Sequence, residues 1–145
     1  MSGDKVILII DDDAEFVESN RELLEAYGYA VHSAANGTEG LAKARQLRPD
    51  LIILDVMMAT LTEGFDVARR IPEAPELRDV KVVLITGMRD VLRFGHALEP
   101  DKTWLPVDRV LDKPISPPRL LAEIERLLGG EEKKNDDSTS GVRGS

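Results

Sequence analysis

Three short apolar runs in this chain each stop on a small polar or acidic residue. Leu51-Ile52-Ile53-Leu54 ends on Asp55, Val6-Ile7-Leu8-Ile9-Ile10 ends on Asp11-Asp12-Asp13, and Val80 to Ile85 ends on Thr86-Gly87. A compact apolar run, rather than an alternating one, is the pattern of a strand buried on both faces, as in a parallel sheet covered by helices. In open sheets of that kind, ligands bind where the carboxyl ends of the strands leave the core. Three strands finishing in this way imply one shared site at that edge.

The segments between the runs carry helical periodicity. Asp13 is placed to cap a helix, with Phe16, Asn20, Leu23, Leu24 and Tyr27 on one face and Gly28 to end it. Tyr29 to Ala34 reads as a short strand. A second helix begins at Thr38 after Asn36-Gly37, turns Leu41, Ala44 and Leu47 inward, and stops at Pro49. A third is expected from Phe65 to about Ile71, before a connector holding Pro72 and Pro75. Residues 88 to 107 are the least regular: Val91, Leu92, Phe94 and Leu98 fit a short helix, but Gly95, Pro100 and Pro106 break a long one. Val107 to Leu111 fits a fifth strand running into Asp112-Lys113-Pro114. A last helix follows Pro117, with Leu120, Leu121, Ile124, Leu127 and Leu128 as its stripe. A βα unit repeated five times calls for an α/β fold: a five-stranded parallel sheet, doubly wound, with helices on both faces.

One folded domain over residues 1–128 is expected, and a disordered polar tail over 129–145, where only Val142 is large and apolar. No stretch approaches the roughly 18 apolar residues that cross a bilayer, and the charged N-terminus leads directly into a strand without a visible signal peptide. There is no cysteine, so thiolate chemistry and cysteine metal sites are excluded. A cytoplasmic setting, with no membrane partner, is the expectation. The formal charge of -8 argues against a nucleic-acid surface and fits a cation site better.

Asp11, Asp12 and Asp55 come from the ends of two strands expected to be neighbours at the centre of the sheet. Two carboxylates about 4 Å apart repel by about 4 kcal/mol at an effective dielectric of about 20. Such a cluster persists with a cation, a lysine or a bound proton. Oxygen donors without His or Cys select a hard cation such as Mg²⁺, and Lys113 can reach inward from the fifth strand. Thr86 adds a hydroxyl, with space beside it at Gly87. These are parts that hold and transfer a phosphoryl group: a nucleophilic carboxylate, and cations that neutralise the phosphoryl oxygens. Any one of these aspartates alone reads as a helix cap or loop end; the joint placement at one edge carries the inference.

With those residues in place, the chain resembles the receiver domain of two-component response regulators over about residues 5 to 128. Ile9-Ile10-Asp11-Asp12-Asp13 matches the acidic-pair motif, Asp55 the phosphoacceptor, Thr86 the phosphate-sensing hydroxyl, and Lys113-Pro114 the lysine with its cis peptide bond. The resemblance implies a (βα)5, flavodoxin-like sheet of strand order 2-1-3-4-5. It implies that Asp12 and Asp55 ligate Mg²⁺ directly with the Met57 carbonyl, while Asp11 acts through water. The phosphoryl donor would be a phosphohistidine on a sensor histidine kinase or phosphotransfer protein. The chain would then be a signalling module rather than an enzyme, acting on an unknown downstream protein as a monomer or a weak dimer linked to phosphorylation.

Three features depart from that family. Met58 is followed by Ala59 where Pro is usual, and Gly64 lies one position late. The segment from Thr86 to Lys113 is longer than usual and carries Trp104. Val110 stands where an aromatic residue normally couples to the threonine, so output by the usual threonine–aromatic route is in question. Met57 and Met88 follow Asp55 and Thr86 by two positions; they read equally as packing or as apolar shields for an acyl phosphate. His32 and His96 have no companion ligand at metal spacing and read as ordinary side chains, and Trp104 reads as packing in the long loop.

Rival functions are weaker. A phosphatase of the haloacid type generally carries a second aspartate two positions after the nucleophile, where this chain has Met57. Binding of FMN lacks a Ser/Thr/Gly-rich loop after the first strand. A phosphorylation-independent module on the same fold, or a receiver excised from a longer regulator or hybrid kinase, remains open.

Overall fold

The computed structural model describes residues 5–56, 61–87, 100–101 and 105–137. Five strands form one parallel sheet: β1 Val6–Ile10, β2 Ala30–Ala34, β3 Leu51–Asp55, β4 Lys81–Thr86 and β5 Arg109–Asp112. Their order is β2-β1-β3-β4-β5, as expected, with every pair parallel. The register sets Ile10 beside Leu54, so Asp11 and Asp55, each one step further, leave the sheet side by side.

Alternation along the central strands divides the core in two, because successive side chains point to opposite faces. Leu8, Ile10, Ile52, Leu54, Val82 and Leu84 pack on one side with Ala44, Phe65, Val67 and Ala68 of the helices α2 Gly37–Leu47 and α3 Leu61–Arg70. Ile7, Ile9, Leu51, Ile53, Val83 and Ile85 pack on the other with Val17, Leu24, Leu120 and Ile124 of α1 Ala14–Ala26 and α4 Pro117–Asp137. All five residues of β3 are buried. Each fully buried Leu or Ile is worth about 1.5–3 kcal/mol relative to exposure, which makes the sheet centre a firm base for whatever stands at its edge.

The caps follow the sequence. Asp13 Oδ1 accepts from the Glu15 and Phe16 N–H groups at 3.1 and 3.2 Å. Asn36 Oδ1 accepts from Glu39 N at 2.8 Å, and Glu39 Oε1 in return accepts from Ala35 N at 3.1 Å. The α2 helix therefore begins at Gly37, one residue before the expected Thr38. In α1 the buried positions are Val17, Asn20 and Leu24, while Tyr27, expected on the inner face, is 61% exposed. Tyr27 is the residue at which the helix ends, and the chain turns there through Gly28 at φ 96°, so its side chain leaves the helical face.

Other stretches also differ from expectation. The α3 helix starts at Leu61 rather than Phe65. A Cβ on Gly64 would lie 2.5 Å from the Val56 carbonyl oxygen, so the first turn of α3 sits directly against the end of β3; the glycine one position late serves that close approach. The connector with Pro72 and Pro75 forms two single 3₁₀ turns, Ile71–Glu73 and Pro75–Leu77. Finally, α4 runs through Gly129 and Gly130 to Asp137, into the stretch expected to begin a polar tail. Glu131 to Lys134 are good helix formers that let a nucleated helix propagate past two glycines. Residues 138–145 and the short helix expected near Val91 to Leu98 lie outside the described residues, as do Trp104 and His96. Within the long connection, Asp101 and Leu105 pair backbone to backbone, and fully buried Leu105 anchors it in the core.

Candidate functional site at the carboxyl edge of the sheet

Asp11 follows the last residue of β1. Its N–H donates to the Ala34 carbonyl at 3.0 Å, and its Oδ1 accepts from the Asp13 N–H at 2.9 Å. Asp55 ends β3, and both carboxylates are buried, at 3% and 6% exposure. Asp12 is exposed. The three groups bring one oxygen each to within 4.8 Å of one another. Among the described residues this is the one cluster of acidic or metal-ligating side chains able to hold a metal ion.

The repulsion in that cluster is met by Lys113. Its Nζ stands 3.3 Å from Asp11 Oδ2 and 3.9 Å from Asp55 Oδ2. The Lys113–Pro114 bond is cis, and the Lys113 N–H donates to the Thr86 carbonyl at 2.6 Å. The ammonium also lies 4.5 Å from the centroid of the Phe16 ring. A groove of about 630 Å³ opens beside it, walled by Phe16, Asn20, Lys113, Pro114 and Ile115 among others.

Thr86 ends β4, one strand further out, and is fully buried. Its hydroxyl donates to Asp112 Oδ1 at 3.1 Å, with the Leu111 carbonyl at 3.4 Å as a second acceptor. Val110 is half-buried opposite Leu84 in β4 and packs into the core on the α2 and α3 side. The fold thus brings together Asp11, Asp12, Asp55 and Lys113, with Thr86 at the adjacent strand end. Met57, expected to lend a carbonyl, and Met88 lie outside the described residues. His32 is an exposed residue of β2.

A scan against family models matches residues 7–125 to the response regulator receiver domain. The chain belongs to this family. Receiver relatives include the polar-differentiation response regulator DivK of Brucella anthropi, 31% identical, with 86% of this chain and 97% of DivK covered. Protein PilH of Pseudomonas aeruginosa is 32% identical, with 86% and 98% covered. The transcriptional regulatory protein AfsQ1 of Streptomyces coelicolor is 36% identical, but this chain spans only 56% of its length. Among solved structures, chemotaxis response regulator CheY4 of Vibrio cholerae superimposes with a TM-score of 0.73 at 27% identity, covering 86% of this chain and 99% of that one. The acidic cluster of this receiver fits the family's phosphorylation site.

Two contacts escape sequence reasoning. Phe16 reads as one more apolar residue on the inner face of α1, and Asp112 as a polar strand end. The position of Asp112 directly before the lysine, level with Thr86 once β4 and β5 are aligned, is the only signal that points to the second contact.

Proposed function

We propose that Asp55 accepts a phosphoryl group from a phosphohistidine on a sensor histidine kinase or phosphotransfer protein, and that this receiver signals by binding a downstream protein. The observation that supports the reading is the meeting of Asp11, Asp12, Asp55 and Lys113 within a few ångströms at the edge of a rigid sheet. An Asp55 oxygen attacks phosphorus as the bond to the imidazole nitrogen breaks; the electron pair departs with the ring, and an acyl phosphate forms. Lys113, in reach of both buried carboxylates, neutralises charge on the phosphoryl oxygens. The Thr86 hydroxyl donates to one of those oxygens after releasing Asp112.

Three carboxylates without His or Cys fit a hard cation that keeps several waters, which favours Mg²⁺. Asp12 and Asp55 would hold it directly and Asp11 through water, with the Met57 carbonyl as a further ligand. When bound, Mg²⁺ supplies neutralising charge for phosphoryl transfer. The chain takes part in its own phosphorylation and dephosphorylation without turning over a separate substrate. This reading places it in the cytoplasm, as a monomer or a weak phosphorylation-linked dimer without nucleic-acid or membrane contact of its own. No helix among the described residues is long and apolar enough to cross a membrane.

Incubation with Mg²⁺ and acetyl phosphate tests the reading by intact mass. One phosphoryl increment is expected on the wild type and none on Asp55→Asn. Labelling of the mutant, or neither labelling nor beryllofluoride binding by the wild type, would reject it. The result would then favour a phosphorylation-independent binding module, the reading to which Val110 points.

A further inference from the structure

Lys113 carries its charge on a flexible four-carbon stem that fixes no geometry by itself. Around its nitrogen stand Asp11 Oδ2 at 3.3 Å, Asp55 Oδ2 at 3.9 Å and the Phe16 ring at 4.5 Å from the centroid. The ring distance is well inside the range of about 6 Å over which an aromatic face attracts a cation. About a quarter of the lysine side chain is still exposed, so water competes for its remaining N–H groups.

The ring is delivered to this place by local structure. Phe16 lies in the first turn of α1, and its N–H is tied to the Asp13 cap at 3.2 Å. The Asn20 side-chain amide donates to the Phe16 carbonyl at 2.7 Å from the next turn, and the half-buried ring packs against the core on the α1 and α4 side. Backbone, carbonyl and ring are therefore all held. The ring also differs in kind from the two carboxylates. When Asp55 becomes an acyl phosphate, the ammonium must exchange a carboxylate oxygen for a phosphoryl oxygen. Attraction to the ring face survives that exchange, because it consumes no hydrogen bond.

The geometry points to Phe16 as a positioning residue whose ring face keeps the Lys113 ammonium at the site while its oxygen partner changes. The inference rests on the phosphoacceptor reading of Asp55 and adds to it a residue that touches neither phosphoryl group nor metal.

The test compares wild type with Phe16→Leu, which keeps apolar bulk but loses the π face, and Phe16→Tyr, which keeps both. Three quantities are read: the acetyl phosphate labelling rate with Mg²⁺, the melting temperature, and the NMR shift of the Lys113 Cε–H signals. A ring at this distance moves those signals upfield. Phe16→Leu is expected to label about fivefold more slowly than wild type, the scale of one partly exposed cation–π contact, and to lose the upfield shift. Phe16→Tyr is expected to label within about twofold of wild type and to retain the shift. Equal rates in all three proteins, or Phe16→Tyr as slow as Phe16→Leu at equal stability, would overturn the inference while leaving Asp55 as acceptor. A wild-type spectrum without the upfield shift would overturn it whatever the variants do. No label on any of the three would overturn the role of Phe16, and if beryllofluoride binding were absent as well the phosphoacceptor reading would fall with it.

Discussion

The two halves of the site edge are built on different principles. On the β1 and β3 side, Asp11 and Asp55 emerge from fully buried central strands, and like charges are crowded until Lys113 reaches across to them. On the β4 and β5 side no such acidic cluster is found among the described residues. Thr86 donates to Asp112 on the edge strand, and Val110 fills a place that is usually aromatic in this family. The first half stores electrostatic tension that a cation can relieve. The second half is already satisfied as it stands, so anything that engages it must displace an existing hydrogen bond. One sheet thus carries a reactive corner and a restrained one.

Removing Lys113 breaks the reactive corner and has the largest expected effect. Lys113→Ala leaves two buried carboxylates without their ammonium and, on the proposed reading, removes a preorganised positive charge from the phosphoryl oxygens. The acetyl phosphate labelling rate is expected to fall on the order of 10²- to 10³-fold, the usual scale for loss of one such stabilising group. A drop of less than threefold would mean that the β1 and β3 corner works without its lysine. Gly64→Ala tests the mechanical support of the same corner. The added methyl would meet the Val56 carbonyl oxygen at 2.5 Å, and backbone cannot yield as a flexible side chain can. A loss of about 1–3 kcal/mol is expected in urea unfolding; an unchanged midpoint would show that α3 shifts freely.

The same contrast explains what the sequence disclosed. The reactive corner was legible because a buried strand ending on an acid is a local pattern, readable without knowing its neighbours. The strand order and the meeting of Asp11, Asp12, Asp55 and Lys113 follow once the βα alternation is recognised. The restrained corner was not legible, because the Thr86–Asp112 bond depends on the alignment of two strands and on rotamers, neither of which periodicity encodes. Phe16 was visible as an apolar residue, but its position over Lys113 depends on how α1 sits on the sheet. Tyr27 departs from its expected face for a related reason: at the last turn of a helix a face assigned by 3.6-residue spacing no longer constrains the side chain. The continuation of α4 to Asp137 was hidden by two glycines and a polar composition that, read alone, resembles a solvated tail.

Asp12→Asn gives a smaller effect, with opposite signs in two conditions. Without metal, removing one of three crowded charges relieves repulsion, so the melting temperature should stay level or rise slightly. With Mg²⁺, the variant loses a charged ligand on the proposed reading, and affinity is expected to fall on the order of tenfold. The stabilisation by a given concentration of Mg²⁺, which follows the ratio of concentration to dissociation constant, should shrink accordingly. Thermal denaturation across a Mg²⁺ titration reads both signs. A variant less stable than wild type without metal would show that Asp12 is a structural cap rather than part of a strained cluster.

Asp112→Ala probes the restrained corner and should have the smallest effect. It deletes the nearer acceptor of the Thr86 hydroxyl and leaves the Leu111 carbonyl at 3.4 Å. A net cost of about 1 kcal/mol in stability is expected, the ordinary worth of one hydrogen bond. The consequence for binding runs the other way. If Asp112 restrains Thr86 until a phosphoryl oxygen competes for the hydroxyl, releasing the restraint makes the competent arrangement more populated, and beryllofluoride should bind up to about fivefold more tightly. The double variant Thr86→Ala with Asp112→Ala should lose that gain, because no hydroxyl remains to redirect. Equal beryllofluoride affinity in wild type and Asp112→Ala would mean that the bond to Asp112 is simply a satisfied strand end, and that the two corners differ in charge but not in readiness.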